Sequence, residues 1–263
     1  MNSIPQFGHV ALLVEENHSY SEVIGSSAMP YLNGLAAKFG LATQYHANTH
    51  PSIGNYFMLT TGQIVTNNDS FTGTDNVDNI VRQLTASGRT WKAYAESLPS
   101  QGYVGSDIYP YAQRHNPFAY FTDVVNNSSQ ARNMVSFAQF GADLAGNRLP
   151  TFSYIVPNLL GDAHDGTLQA ADSWLQQNIA PFIASPIFQN GLLIIVFDES
   201  DGSDNANGGG HVSAVIVSPK AKPGYQSTTL YQHQSTLRLI LEGLGVTTYP
   251  GAASAAPDMG EFF

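Results

Sequence analysis

The chain has 263 residues, of which 43% are hydrophobic and only 11% charged, with 10 basic against 20 acidic side chains. That supply of apolar side chains is enough for a large core and excludes wholesale disorder, while a formal charge of −10 argues against nucleic acid or an anionic membrane as an electrostatic partner. The absence of cysteine removes disulfides, thiolate catalysis and zinc–thiolate sites together, and no apolar run approaches the roughly 20 residues that span a bilayer. Asn, Gln, Ser, Thr and Tyr stand in for charge, as expected of a secreted or periplasmic protein rather than a cytoplasmic one. Met1-Asn2-Ser3-Ile4-Pro5 has neither the basic nor the apolar stretch of a signal peptide, so a mature form with an added start methionine is expected.

Strand and helix patterns alternate along the chain. Residues 9–14 form a short continuous apolar strand pattern, followed at once by Glu15-Glu16-Asn17-His18. Apolar spacing predicts a helix over 30–39, with Gly40 as its stop. A strand is expected over 41–45, a helix over 50–59 and another over 78–86, then a strand over 90–94. Residues 96–121, rich in Pro, Gly and Tyr, read as a long irregular excursion of the kind that shapes substrate entrances. Residues 128–145 read as mostly helical and 151–156 as a strand. The longest amphipathic helix is expected over 167–185, bent near Pro181, before the strongest strand pattern at 192–197. A flexible run over 201–210, a strand over 211–217, a helix over 229–241 and an irregular tail from 247 complete the chain. Strands separated by helices predict an α/β fold with a largely parallel central sheet covered on both faces. No composition break or internal repeat divides it, so one catalytic domain over 1–263 is expected.

In open α/β sheets ligands sit beyond the carboxyl ends of the strands, and the polar clusters fall there. Glu16-Asn17 follows the first strand with hard oxygen donors suited to a divalent cation, although Glu15 could be the inward residue instead. Asp198-Glu199 caps the apolar strand Leu192–Phe197; two such carboxylates repel one another unless a cation lies between them. Asn158 through Asp162-Ala163-His164-Asp165 follows the strand ending at Val156, and His211 opens the strand after a glycine run. Thr49-His50-Pro51-Ser52-Ile53-Gly54-Asn55-Tyr56 is a strand-to-helix turn, where a hydroxyl can face an anion bound at helix amides. Thr49 and Ser52 each fit either a helix cap or a nucleophile.

These segments, with Thr61-Gly62 and Gly210-His211, resemble the phosphoesterase family that contains bacterial phospholipases C and acid phosphatases, a branch of the alkaline-phosphatase-like superfamily. The likeness spans positions 16 to 211. It implies an alkaline-phosphatase-like fold and one divalent metal ion held by Glu16, Asn17, Asp198 and Glu199. It also implies a Ser or Thr nucleophile that touches the metal. Thr49 is the first choice, because its Thr-x-Pro setting resembles the nucleophile turn of related phosphodiesterases, and Ser52 is the second. His50, His164 and His211 correspond to histidines around the phosphate, with Asp162 beside them and Asn55 offering an amide to a phosphate oxygen. Oxygen ligands favour Ca, Mg or Mn over Zn.

The expected activity is that of a metal-dependent phosphoric monoester hydrolase acting on a small phosphorylated substrate through a phospho-threonine, with His164 or His211 protonating the leaving group. The metal would also offset the repulsion between a chain of this charge and such a substrate. A phosphodiesterase or phospholipase C acting on lipid head groups is the nearest alternative, and would use an apolar-rimmed entrance built from 103–121. A non-catalytic surface binding module is the alternative from another class. No Gly-x-Ser-x-Gly elbow supports a serine hydrolase.

Overall fold

A computed structural model describes residues 4–263. Nine strands form one sheet in the order β4-β3-β5-β1-β6-β7-β2-β8, with β9 paired beside β2. The strands are β1 His9–Glu15, β2 Gly40–His46, β3 Trp91–Ala95, β4 Met134–Ser136, β5 Phe152–Val156, β6 Gly191–Phe197, β7 His211–Val217, β8 Tyr225–Ser227 and β9 Tyr231–Gln232. Neighbours run parallel except β7, which is antiparallel to both β6 and β2. The sheet is therefore mixed but mainly parallel.

The central strands β1, β5 and β6 are apolar at nearly every position because both faces are covered, and their side chains form the middle of the core. The helices are α1 Tyr20–Val23, α2 Pro30–Lys38, α3 Ser52–Thr61, α4 Ile80–Ala86, α5 Thr122–Val125, α6 Ser128–Ala131, α7 Ala138–Ala145, α8 Leu168–Ile183 and α9 His233–Gly243. Helix α8 is capped by Thr167, whose hydroxyl accepts the Ala170 N–H, and carries Pro181 inside its last turn. No helix among the described residues is long and apolar enough to cross a membrane.

The expected helix over 128–145 is instead a single turn (α6), the edge strand β4 and then α7. Met134 and Val135 pair with Ala93 and Tyr94 of β3, and that pairing outweighs the local helical pattern. The last long helix starts at His233 rather than 229, because Tyr231 and Gln232 pair with Tyr45 and His46. Helix α3 starts at Ser52, two residues later than expected, with Pro51 as its cap.

All ten residues of α3 are buried, and Gly62 ends it in the left-handed region (φ 68°) that glycine adopts without strain. Gly54 is needed inside α3 because a Cβ there would overlap the side chains of Thr49 and Asn67. The antiparallel direction of β7 brings its first residue, His211, to the edge where the parallel strands end, opposite His46 of β2.

Candidate active site

Three buried carboxylates meet at that edge. Glu16 follows β1, Asp198 and Glu199 follow β6, and each offers an oxygen within 4.8 Å of the others. The register Glu15↔Phe197 between β1 and β6 places Glu16 directly against Asp198. Glu15 is buried away from this cluster, and neither of its carboxylate oxygens has a partner among the described residues; burial, then Asp162 and Asp172, pushes its pKa well above the usual carboxylate range. Glu16 is thus the inward residue of the pair.

Burial, reinforced by Glu16 and Glu199, likewise raises Asp198 well above its ordinary value. Burial raises Glu199 too, against the opposing pull of Ser52 and His50. Asp198 Oδ2 is buried with no hydrogen-bond partner among the described residues. Converging hard oxygen donors, one of them orphaned, fit a divalent cation.

Ser52, the first residue of α3, points its hydroxyl into this cluster. It donates to Glu199 Oε1 (2.8 Å) and lies 3.2 Å from Glu16 Oε2. Thr49, the first choice for nucleophile and metal contact, is placed otherwise: its hydroxyl donates to the adjacent His50 carbonyl (3.1 Å) and to no carboxylate among the described residues. The cause is Asn55. Its Oδ1 accepts the N–H groups of Asn48 (2.9 Å) and Thr49 (3.2 Å), and its Nδ2 donates to the Thr49 carbonyl (2.8 Å). Asn55 is fully buried, and its oxygen and one of its two amide N–H groups are committed to that turn.

Asn17 reaches the cluster through its backbone, whose N–H donates to Asp198 Oδ1 (3.0 Å), and it holds a positive φ of 59° in doing so. His50 contacts the cluster through Glu199. Its Nδ1 lies 2.5 Å from Glu199 Oε2 and its Nε2 is 2.9 Å from the Asp204 carbonyl. His211 does not join it: its ring is stacked between Tyr20 (4.3 Å) and His46 (4.9 Å), with Nε2 bonded to the Thr43 carbonyl (3.0 Å). The antiparallel strand brings His211 to the right edge, and the stack turns its ring away from the acids.

One central residue was missed from the sequence. His115, in a short turn within the 96–121 excursion, is buried with Nδ1 3.2 Å from Asp162 Oδ2 and Nε2 3.0 Å from Glu16 Oε1. The second contact is an ion pair rather than an aligned hydrogen bond, since Nε2 lacks hydrogen-bond geometry there. Tyr56 of α3 stacks on the His115 ring at 4.9 Å and donates its hydroxyl to Glu16 Oε1 (2.8 Å). The expected Asp162 and His164 are close by. Asp162 is buried and accepts the His164 N–H (2.9 Å), and the partly exposed His164 ring lies 5.9 Å from that of His115 with Nδ1 on Asp165 (2.7 Å).

Burial alone would lower the His115 pKa, but Glu16 and Asp162 hold it up to about 9. The same pairing takes Glu16, which burial alone would raise, down to about 2. A histidine raised from 6.5 to about 9 contributes stability that is fully present below pH 6.5 and is lost as pH rises through 9. In cation-free protein at pH 7, His115→Gln is expected to cost about 3 kcal/mol, a gap that closes above pH 9. Urea unfolding of both proteins at pH 7 and pH 9.5 checks this, and a gap of the same size at both values would remove the ion pair as its source.

Known proteins share this arrangement of chain and fold. A phosphatidylinositol-3-phosphatase from Mycobacterium tuberculosis is 32% identical over 260 residues, which is 97% of this chain and 83% of that protein. A probable acid phosphatase from Kluyveromyces lactis is 31% identical over 245 residues, covering 89% of this chain but 57% of its own length, so the chain spans little more than half of that relative. Among solved structures, a protein of the alkaline phosphatase superfamily from Vibrio parahaemolyticus matches the fold with a TM-score of 0.65 at 12% identity, over 94% of this chain and 69% of that one. The phosphoesterase family model matches residues 25–247, and the chain belongs to that family, whose members on the alkaline-phosphatase-like fold hydrolyse phosphate-containing substrates.

Proposed function

We propose that the chain is a phosphoric monoester hydrolase that depends on a divalent cation and uses Ser52, not Thr49, as its nucleophile. The observation that carries this reading is the Ser52 hydroxyl, at the first residue of α3, bonded within the Glu16–Asp198–Glu199 cluster. Glu16, Asp198 and Glu199 would hold the cation, of which Ca, Mg or Mn best suits oxygen donors. Once bound, it supplies charge neutralisation and a lowered hydroxyl pKa.

Ser52 Oγ attacks phosphorus as its proton passes to Glu199, and the P–O bond to the departing alcohol breaks in line. The N-terminal end of α3 favours the negative phosphoryl group. His164, a partly exposed imidazole beside His115, protonates the alcohol oxygen. It then takes the proton of the water that attacks phosphorus, the P–Oγ bond breaks, Ser52 Oγ recovers the proton held by Glu199, and inorganic phosphate leaves. His115 stays buried and keeps Glu16 ionised and in place.

A second reading, a phosphoesterase for lipid head groups, is favoured by an apolar rim. Val104, Ile108, Tyr109 and Leu160 are 38%, 52%, 63% and 46% exposed. The two segments that carry them are joined by the Leu159 N–H to Pro110 carbonyl bond (3.0 Å), and they lead to His115 and Asp162. The name of the mycobacterial relative points the same way.

Turnover of p-nitrophenyl phosphate, bis-p-nitrophenyl phosphate, and vesicles of phosphatidylcholine with or without phosphatidylinositol 3-phosphate separates these readings. The monoester is expected to exceed the diester at least about 100-fold in kcat/KM, a gap of roughly 3 kcal/mol in transition-state stabilisation. A preference for the diester, or release of phosphocholine, would overturn the monoesterase reading.

A further inference from the structure

Helix α9 begins behind the acid cluster. Its first residue, His233, is fully buried, and His233 Nε2 lies 2.6 Å from the carbonyl oxygen of Asp198. A carbonyl can only accept, so Nε2 carries the proton and Nδ1 is left as an acceptor. The Tyr45 hydroxyl donates to Nδ1 from 3.1 Å and in turn lies 2.6 Å from the Thr236 hydroxyl, which completes the chain as donor. Every polar atom from Thr236 to the Asp198 carbonyl thereby has a partner. Such closed buried chains hold their members in one geometry.

The neighbours of His233 grip the same region. The His233 N–H donates to Asn48 Oδ1 (3.3 Å), and Gln234 Oε1 accepts from Asn48 Nδ2 (2.8 Å). Gln232 Nε2 donates to the carbonyls of Ala47 (3.2 Å) and Asn207 (3.0 Å). Three consecutive residues of one helix end therefore tie together the turn leading to Ser52, the peptide of Asp198 and the glycine-rich loop after Glu199. None of the three is among the carboxylates, the nucleophile or the imidazoles that face it.

We propose that His233 is a positioning residue for the reaction. Acting through the Asp198 carbonyl, it fixes where the Asp198 carboxylate stands relative to Ser52, Glu16 and Glu199. The bond lands on the one residue of the cluster that bears an orphaned carboxylate oxygen, so the aim of that oxygen depends on how its peptide is held. A displacement of about 1 Å in such a group costs on the order of 100-fold in rate. The inference rests on the cation-dependent hydrolase reading above.

The test uses the full-length chain with three substitutions. His233→Leu removes the donor and His233→Gln restores an N–H near the position of Nε2. Tyr45→Phe removes only the hydroxyl that holds Nδ1. Binding of Mn2+ alone is measured by calorimetry, kcat and KM on p-nitrophenyl phosphate, and thermal stability separately. H233L is expected to lower Mn2+ affinity and kcat by about tenfold or more with little change in KM. H233Q is expected to recover most of both, and Y45F to lose about threefold in each.

If H233L loses only thermal stability, with Mn2+ affinity and kcat per folded molecule at wild-type values, the role is structural and the proposal falls. It falls equally if H233Q is no better than H233L. Should H233L fail to fold, wild-type values in Y45F would overturn it and reduced ones support it. Wild-type protein that neither binds Mn2+ nor hydrolyses the ester would instead defeat the hydrolase reading itself, a result distinguishable from the others.

Discussion

Replacing Ser52 with alanine is expected to lower kcat on an aryl phosphate monoester by about 10^4-fold or more, the scale on which loss of a covalent nucleophile acts. The fold should survive, because the hydroxyl is one group at a helix start and no core volume is lost. Thr49→Val, by contrast, removes a single bond to the neighbouring His50 carbonyl and should cost about 1 kcal/mol of stability and less than about tenfold in rate. Acid-quenched wild-type enzyme given labelled substrate should carry the label on the peptide containing Ser52, and mass spectrometry can assign the residue. Label on Thr49, or near-normal turnover by S52A, would return the nucleophile to Thr49 and leave the Ser52 contacts without a catalytic role.

Asp198→Asn should reverse its effect on stability according to whether a cation is present. The pKa of Asp198 is raised well above 3.8, first by burial and then by Glu16 and Glu199. A carboxyl raised in the folded state contributes stability below its unfolded pKa of about 3.9 and loses it as pH rises through the folded value. In chelator at pH 7.5, far above the unfolded pKa, the buried Asp198 carboxyl lacks the compensation a cation would give and is a burden, and D198N should melt about 3 °C or more above wild type. In Mn2+ at a hundredfold excess over its Kd, wild type gains about 2.7 kcal/mol and D198N gains much less, so the order inverts. Its kcat should fall by about 100-fold or more. Thermal melts at pH 5 and 7.5, with EDTA or Mn2+, check each part. D198N with full metal stoichiometry and wild-type rate would remove Asp198 from the ligand set.

The strands at 9–14, 192–197 and 211–217 were legible because each is a short, mostly apolar, β-branched-rich stretch next to a polar cluster, which fits a strand in a sheet covered on both faces. Strands β4, β8 and β9 were not legible. Each has two or three residues, and its conformation is fixed by the neighbour it pairs with. The same divide runs through the site. Glu16, Asp198 and Glu199 could be read from their places at strand ends, where topology alone makes them converge.

Ser52 and Thr49 could not be separated, because they share one turn and which hydroxyl faces the acids is set by the hydrogen bonds of Asn55 to the backbone at 48 and 49. His211 was read to the correct edge, but the stack with Tyr20 and His46 sets where its ring points. His115 left almost no trace. It lies in an irregular segment far from Glu16 in the chain, and the only local signal is the Asn116-Pro117-Phe118 that follows it, which marks a buried turn and not a charge partner.

The acid cluster joins residues very far apart in sequence: 181 positions separate Asn17 from Asp198, and 147 separate Ser52 from Glu199. Strand β6 sits between β1 and β7, so the three carboxylates meet only where β1 and β6 lie side by side. Whatever occupies the cluster binds the assembled sheet and not the unfolded chain. Occupancy then acts as a lock on escape from the native state, slowing unfolding while leaving the speed of folding almost untouched.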